Sequence, residues 1–129
     1  MIALDTNTIV RLLANDDRRQ AERVAALLSR EEVWIPKTVL LEAEWVLRYS
    51  YDIDPLRIQQ GFENLLGLSQ VTVEDESAVA QAVQWFGRGL DFADALHLAS
   101  SPGMRFASFD RELARKSRRL PDAPTVFEP

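Results

Sequence analysis

Four acidic side chains lie where the catalytic site of a parallel α/β protein would form: Asp5, Glu42, Asp94 and Asp110. Asp5 directly follows the first predicted strand, and Asp110 follows the fourth by two residues. Glu42 lies early in the helix after the second strand, and Asp94 lies in the first turn of the helix that leads into the fourth. Ligands of open parallel sheets bind at the carboxyl ends of the strands, so this spacing allows the four acids to converge at one edge.

A cluster of carboxylates is suited to binding a divalent metal ion. Neighbouring carboxylates raise one another's pKa unless a cation compensates their charge. Oxygen ligands favour Mg²⁺ or Mn²⁺, which keep several water molecules. Such an ion lowers the pKa of a bound water and polarises a phosphodiester, and two ions can flank an in-line displacement. The chain has no cysteine, which excludes disulfides and thiolate metal sites and suits a cytoplasmic protein.

Several of these acids also have a purely structural interpretation. Asp5, Asp91 and Asp110 each precede a predicted helix, where a side-chain oxygen accepts a hydrogen bond from a free backbone N–H. For any one of them taken alone, the helix cap is the favoured interpretation. Asp94 lies at the border of an apolar helical stripe, which suits a residue lining a cleft and is also an ordinary border position.

Glu42 is harder to explain as a structural residue. At about 100° per residue, it falls between Tyr49 and Val46, inside an apolar arc of its helix. Glu44 falls on the outer face and forms an (i, i+4) pair with Arg48. We therefore expect Glu42 to be buried, where a carboxylate needs a metal ion or a buried arginine. The metal is favoured because no arginine is placed to contact it.

Two further side chains could assist these acids. His97, the single histidine, is three residues from Asp94 on the more polar side of its helix, and a structural role is favoured over a catalytic base. Ser108, two residues before Asp110, could orient a metal-bound water or a phosphate oxygen. Bonding of its hydroxyl to the backbone at the strand end is an equal alternative.

The charge of the chain is uneven. Its net charge of −5 argues against a surface that attracts nucleic acid everywhere. The segment 111–119 nevertheless carries five positive charges and one negative, and a smaller basic group contains Arg18, Arg19 and Arg23. Both could be solvated helix faces. The alternative is a phosphate-binding surface beside the acids, and its candidate RNA-binding residues are Arg115, Lys116, Arg118 and Arg119.

Apolar runs and helix signals predict a single domain over residues 1–129 in which strands and helices alternate. The predicted strands are the buried run Met1–Leu4 and the segments Val33–Ile35, Val71–Val73, Arg105–Ser108 and Thr125–Phe127. Alternation of this kind implies parallel pairing and a three-layer α/β/α domain. Thr38 is expected to cap the helix that carries Glu42. No apolar run approaches the ~20 residues of a membrane span, and the first residues do not resemble a signal peptide.

Four blocks of the sequence resemble the PIN domain, and within it the VapC toxins of bacterial toxin–antitoxin pairs. They occur in the order typical of the family and span nearly the whole chain: IALDTNTIVRLL from Ile2, IPKTVLLEAEWVLR from Ile35, LDFADALHLA from Leu90 and FASFDRELAR from Phe106. The resemblance implies a five-stranded parallel sheet and Mg²⁺- or Mn²⁺-dependent endonucleolytic cleavage of RNA. It also implies a homodimer that a cognate VapB-type antitoxin inhibits.

The same resemblance assigns roles to individual residues. It implies that the metal-binding catalytic acids are Asp5, Glu42, Asp94 and Asp110, with Asp91 as an accessory acid. Ser108 and Asn7 are further candidate accessory residues. Asp91 and Asp94 both fit the acidic position of the third block, and Asp94 is favoured because it precedes the Ala-Leu pair. Ser108 stands where relatives often carry threonine, which keeps the hydroxyl.

Two other functions compete with this interpretation. The segment Asp5–Thr8 partly matches the Asp-x-Asp-x-Thr motif of haloacid-dehalogenase-like phosphatases, but Asn7 would remove the general acid, and the only lysines are Lys37 and Lys116. A non-catalytic binding module, with its acids merely capping helices, is the second alternative. The bulky residues of one helix exceed what one face can bury, and they are hypothesised to include the dimer contact: Leu40, Leu41, Trp45 and Tyr49.

Overall fold

Strands alternate with helices along the whole chain, which confirms the predicted α/β class. The computed structural model describes residues Met1–Pro129. Its elements are, in order, β1 (Ile2–Ala3), α1 (Thr6–Ala14), α2 (Arg18–Arg30), β2 (Val33–Ile35), α3 (Lys37–Tyr49), α4 (Pro55–Leu66), β3 (Val71–Val73), α5 (Glu76–Gly87), α6 (Phe92–Ala99), β4 (Phe106–Ala107), α7 (Arg111–Ser117) and β5 (Val126–Phe127). None of the helices combines the length and the apolar character that crossing a membrane requires.

The chain divides into two compact units, Met1–Glu76 and Ser77–Pro129. The first unit contains a three-stranded sheet in the order β1-β2-β3, and the second contains the pair β4-β5. Every pairing is parallel, as the alternation of elements predicted. The single domain over residues 1–129 and its three layers stay predictions.

The prediction of one five-stranded sheet is wrong, because the structure has a three-stranded and a two-stranded sheet. β4 and β5 hydrogen-bond to each other: the Phe106 N–H donates to the Thr125 carbonyl at 2.9 Å, and the Ser108 N–H to the Phe127 carbonyl at 2.9 Å. β1 is only two residues long and exposed, so the expectation of a buried first strand is also wrong. Apolar runs locate strands, but they do not specify which backbone edges pair.

The core of the first unit forms where α1 packs against α2 and α3. Ile9 and Val10 of α1 and Leu40 and Leu47 of α3 are at most 1% exposed. Each such side chain contributes about 1.5–3 kcal/mol by leaving water. In the second unit, Phe86 and Phe92 meet edge to face with ring centroids 5.4 Å apart. These contacts hold the helices that carry the candidate site residues.

Helix α3 buries a different face from the one that its sequence predicted. Glu44 is 1% exposed and Glu42 is exposed, which reverses the expected placement of the two acids. Trp45 and Tyr49 cause the error, because their rings contact each other outside the core, tilted by 46° with 5.2 Å between centroids. The predicted pair of Glu44 with Arg48 is confirmed. It is bidentate, with N–O distances of 2.6 and 3.1 Å.

The start of α3 also differs from the prediction. The helix begins at Lys37 after Pro36, which has no side chain that can cap it, and the Lys37 N–H donates instead to Glu74 Oε1 at 3.0 Å. Proline favours this start, since its fixed φ suits the entry to a helix. Thr38 therefore lies inside the first turn.

We expect Arg48→Ala to lower the free energy of unfolding by about 3 kcal/mol, because it leaves the buried Glu44 carboxylate without its partner. Urea denaturation measures the change. Arg18→Ala is the matched control: Arg18 also pairs with an acid four residues away, Glu22 at 3.4 Å, but both side chains are exposed. That loss should stay below about 1 kcal/mol. Equal losses of unfolding free energy in the two variants would show that burial of the Glu44–Arg48 pair does not increase its contribution to stability.

Candidate functional site

Asp5 caps helix α1 with one of its two carboxylate oxygens. Its Oδ1 accepts hydrogen bonds from the backbone N–H of Thr8 at 2.9 Å and from the Thr8 hydroxyl at 2.7 Å. These bonds, led by that of the hydroxyl, lower the pKa of Asp5, so it is ionised at neutral pH. The cap predicted as an alternative is thus present. Both bonds use Oδ1, so the cap does not exclude a second ligand at Oδ2.

Glu42 lies at the same end of the first unit as Asp5. The Thr6 hydroxyl, in the residue after Asp5, donates a short hydrogen bond to Glu42 Oε1. The structure therefore brings Glu42 to the amino end of α1 and orients its carboxylate there. Because Glu42 is exposed, its candidacy rests on this position and no longer on burial. Asn7, the accessory candidate, is the next residue along α1.

A groove with a volume of about 500 Å³ opens beside Asp5 between α1 and α2. Three arginines line it: Arg11, Arg23 and Arg30. Arg11 is held by hydrogen bonds to Gln20 Oε1 at 2.6 Å and to the Tyr51 hydroxyl at 2.8 Å. Arg23 and Arg30 make no ion pair within the protein, so they are available to an anion.

The sequence pattern groups Arg23 with Arg18 and Arg19 and does not single out Arg11 or Arg30. The signal that could have found Arg30 is its spacing of seven residues from Arg23, which is about two helical turns and places both on one face. Arg18 instead pairs with Glu22. Counting neighbouring charges along the chain thus groups Arg23 with Arg18 and Arg19, whereas the helical period groups it with Arg30.

Three candidate acids of the second unit lie at the starts of α6 and α7. Asp91 Oδ2 caps α6 by accepting from the Asp94 N–H at 3.3 Å, and Asp110 Oδ1 caps α7 by accepting from the Leu113 N–H at 3.0 Å. The pKa of Asp94 is raised, first by its burial and then by the negative charges of Asp91 and Asp110. His97 and Lys116 oppose that rise without reversing it. Asp94 therefore lies in a field of excess negative charge.

Ser108 uses its hydroxyl in the local structure. Its Oγ accepts a hydrogen bond from the Asp110 N–H at 3.0 Å, so the backbone-bonding alternative is present. This bond fixes the turn between β4 and α7. Ser108 is thus a positioning residue for Asp110, and the hydroxyl hydrogen remains available as a donor.

The basic candidates near α7 differ in their availability. Lys116 Nζ donates to the Gly89 carbonyl at 3.2 Å and pairs with Glu112 at 3.5 Å. Arg115 shares Glu112 at 3.4 Å. Arg118 and Arg119 follow the last residue of the helix, are exposed and have no acidic partner. These two arginines are the members of the predicted group that are most accessible to a phosphate.

No group of three or more acidic or histidine side chains is placed to hold a metal ion by itself. The donors that are present nevertheless fit Mg²⁺ or Mn²⁺, since they are carboxylates and such ions accept one or two of them with water completing the shell. The excess negative charge around Asp94 is what a divalent cation would relieve. The roles of the individual acids stay predictions.

Comparison with known proteins gives one finding about the family. The sequence matches the family model described as PIN domain over residues 2–119, which covers most of both units. No curated protein matches the chain at a significant level. The resemblance to the PIN domain is thereby confirmed, and the PIN domain is a nuclease-type fold.

We expect Asp94→Asn to stabilise the protein at about pH 7 in EDTA, because the raised pKa of Asp94 means that its ionised form is disfavoured in the folded state. A raised carboxyl pKa contributes stability below the ordinary value of 3.8 and loses it as the pH rises through the folded-state pKa. The advantage of Asn over Asp should therefore shrink towards about pH 4. Thermal unfolding at both pH values measures it.

Asp54→Asn removes the same charge at the cap of α4, away from these acids, and serves as the control. An Asp94→Asn protein that melts below the wild type at neutral pH without metal would contradict the electrostatic picture of this site.

Proposed function

Because the chain belongs to the PIN domain family, we propose that it is a metal-dependent endoribonuclease, and that it acts as the toxin of a VapBC pair. The observation that supports the proposal is the influence of the Asp91 and Asp110 charges on Asp94, since a divalent cation would compensate these charges. Active sites are where like charges are held together against their repulsion. Hydrolysis of a phosphodiester is the reaction that this combination supports best.

We assign the metal-binding catalytic role to four acids: Asp5, Glu42, Asp94 and Asp110. Mg²⁺ or Mn²⁺ held by them would activate a water molecule and polarise the phosphodiester. The protein's own contribution is orientation. Thr6 fixes the Glu42 carboxylate, and Ser108 fixes the turn that carries Asp110. Asp91 and Asn7 are the proposed accessory residues, Asp91 through its bond to the backbone of Asp94.

RNA would be held by its phosphates. We propose contacts from the group predicted by the sequence, which comprises Arg115, Lys116, Arg118 and Arg119. The unpaired guanidinium groups of Arg118 and Arg119 support this assignment. Arg23 and Arg30 of the groove beside Asp5 are further candidates. Such local basic surfaces suit an acidic protein that must bind a polyanion at one place only.

The proposed partners are a second copy of the chain and a VapB-type antitoxin, in the cytoplasm. Trp45 and Tyr49 support a homodimer, since they are 56% and 62% exposed and contact each other at the surface. Leu40 is completely buried and cannot belong to the proposed dimer contact, whereas Leu41 is partly accessible. Large aromatic rings are enriched at protein interfaces because they bury much area with few rotatable bonds.

A non-catalytic binding module is the second candidate function. It is favoured by one observation: Asp5, Asp91 and Asp110 all cap helices. In a module of this kind the acids would have no further task. A titration with Mg²⁺ separates the two functions, because a ligand that binds the folded state alone raises the melting temperature. The absence of any metal-linked rise would favour the binding module.

We expect Asp5→Asn and Asp94→Asn each to reduce Mg²⁺-dependent cleavage of total RNA by about 100-fold or more, since each removes a proposed metal ligand. Asn keeps the helix cap of Asp5, so the fold should stand. Asp54→Asn is the matched control, because Asp54 caps α4 by accepting from the Leu56 N–H at 2.8 Å. Undiminished cleavage by either site variant would overturn the assignment of the acids.

We expect the double variant Arg118→Gln/Arg119→Gln to weaken binding of unrelated RNA sequences to a similar extent. The slope of log K against log salt should fall by about 0.7 for each phosphate contact removed. Arg18→Gln/Arg19→Gln removes the same charge elsewhere and is the control. An unchanged slope in the Arg118/Arg119 variant, measured in an Asp5→Asn background, would remove these residues from the RNA-binding surface.

A further inference from the structure

Phe109 is the most exposed bulky apolar side chain of the protein, with 74% of its surface accessible to water. It also lacks aromatic and cation–π contacts, in contrast to the other exposed aromatic residues: Trp45 and Tyr49 contact each other. Burying a phenylalanine side chain is favourable, because it removes a large apolar surface from water. The fold forgoes this gain at Phe109, so the ring has no structural task that the folded chain shows.

The backbone on both sides of Phe109 is fixed. The Ser108 N–H donates to the Phe127 carbonyl at 2.9 Å, which ties the preceding residue to β5. The Asp110 N–H donates to Ser108 Oγ at 3.0 Å, and the Asp110 carboxylate caps α7. The ring is thus presented from an ordered turn, where it can meet a ligand with little loss of conformational freedom.

The residues next to Phe109 along the chain are polar or charged: Ser108, Asp110 and Arg111. Asp110 is a proposed metal ligand, and Arg111 has an 88% exposed side chain that is 3.6 Å from Glu128. A protein partner would call for several apolar residues together, as interface cores contain. A lone ring between an acid and a basic helix instead suits a ligand with a flat apolar face and negative charges beside it. A nucleotide has both features.

We propose that Phe109 stacks on a nucleobase of single-stranded RNA beside the phosphodiester to be cut. The inference rests on the proposed function and adds to it a contact with the base next to the cleavage position. Aromatic side chains next to basic surfaces are a general means of holding single strands, because every base has a π face. Bases in a duplex are stacked on each other and unavailable. Phe109 therefore selects unpaired RNA.

The test is binding of a short single-stranded RNA that carries 2-aminopurine, in EDTA, with the full chain. Stacking on the ring quenches the base's fluorescence. Phe109→Ala should weaken binding about tenfold and abolish the quenching, whereas Phe109→Trp should keep both. Phe109→Leu should behave like Phe109→Ala, because leucine keeps apolar bulk and lacks the ring. Met104→Ala, which alters another exposed side chain of the second unit, is the matched control.

The outcomes are distinguishable from those for the proposed function. RNA cleavage by a Phe109→Leu protein that also binds the strand as tightly as the wild type would overturn the inference and leave the nuclease standing. If the wild type binds the RNA tightly and quenches its fluorescence but shows no Mg²⁺-dependent cleavage, the stacking contact is supported and the proposed nuclease function is contradicted. A shift to monomer in light scattering, with RNA affinity unchanged, would assign the ring to a protein contact and also overturn the inference. Thermal stability should be equal in all Phe109 variants.

Discussion

The candidate site depends on one interaction: the hydrogen bond between an aspartate carboxylate and the free backbone N–H groups at the amino end of a helix. The first N–H groups of a helix have no partner within it, and a carboxylate satisfies them while interacting favourably with the positive end of the helix dipole. Asp5 caps α1, Asp91 caps α6 and Asp110 caps α7. The hydrogen bonds that cap the amino ends of these helices also fix the rotamers of the aspartates. The structural and the catalytic interpretations of these residues are therefore compatible, since Asp5 and Asp110 each use one oxygen for the cap.

The two glutamates of α3 show what distinguishes a structural carboxylate from a candidate ligand. Glu44 is buried, and Arg48 binds it in a bidentate arrangement, so its charge is compensated within one helix. Glu42 is exposed and has a neutral hydroxyl as its partner. A hydrogen bond from threonine orients a carboxylate and leaves its charge uncompensated. The exposed acid, and not the buried one, thus has the electrostatic character of a cation ligand.

The surroundings of Asp94 show that an uncompensated carboxylate lowers the stability of the fold. Burial and the charges of two neighbouring aspartates raise its pKa, so its ionised form opposes folding at neutral pH. The structure tolerates this because other contacts, such as the Phe86–Phe92 pair, hold the second unit together. Sites that must hold a ligand commonly keep such unfavourable arrangements. Phe109 is a second instance, in which an apolar ring is left in water.

The sequence by itself determined the α/β class, the positions of the strands, their parallel direction and the aspartate caps. These features follow from residue types a few positions apart, and Asp91 before Phe92 is readable without knowledge of the rest of the chain. Only the tertiary structure decided that β4 pairs with β5, because edge pairing depends on which strands meet in space. It also decided which face of α3 is buried. The apolar arc of Trp45 and Tyr49 is as hydrophobic as a core face, and only the packing of α1 against Leu40 and Leu47 selects the other side.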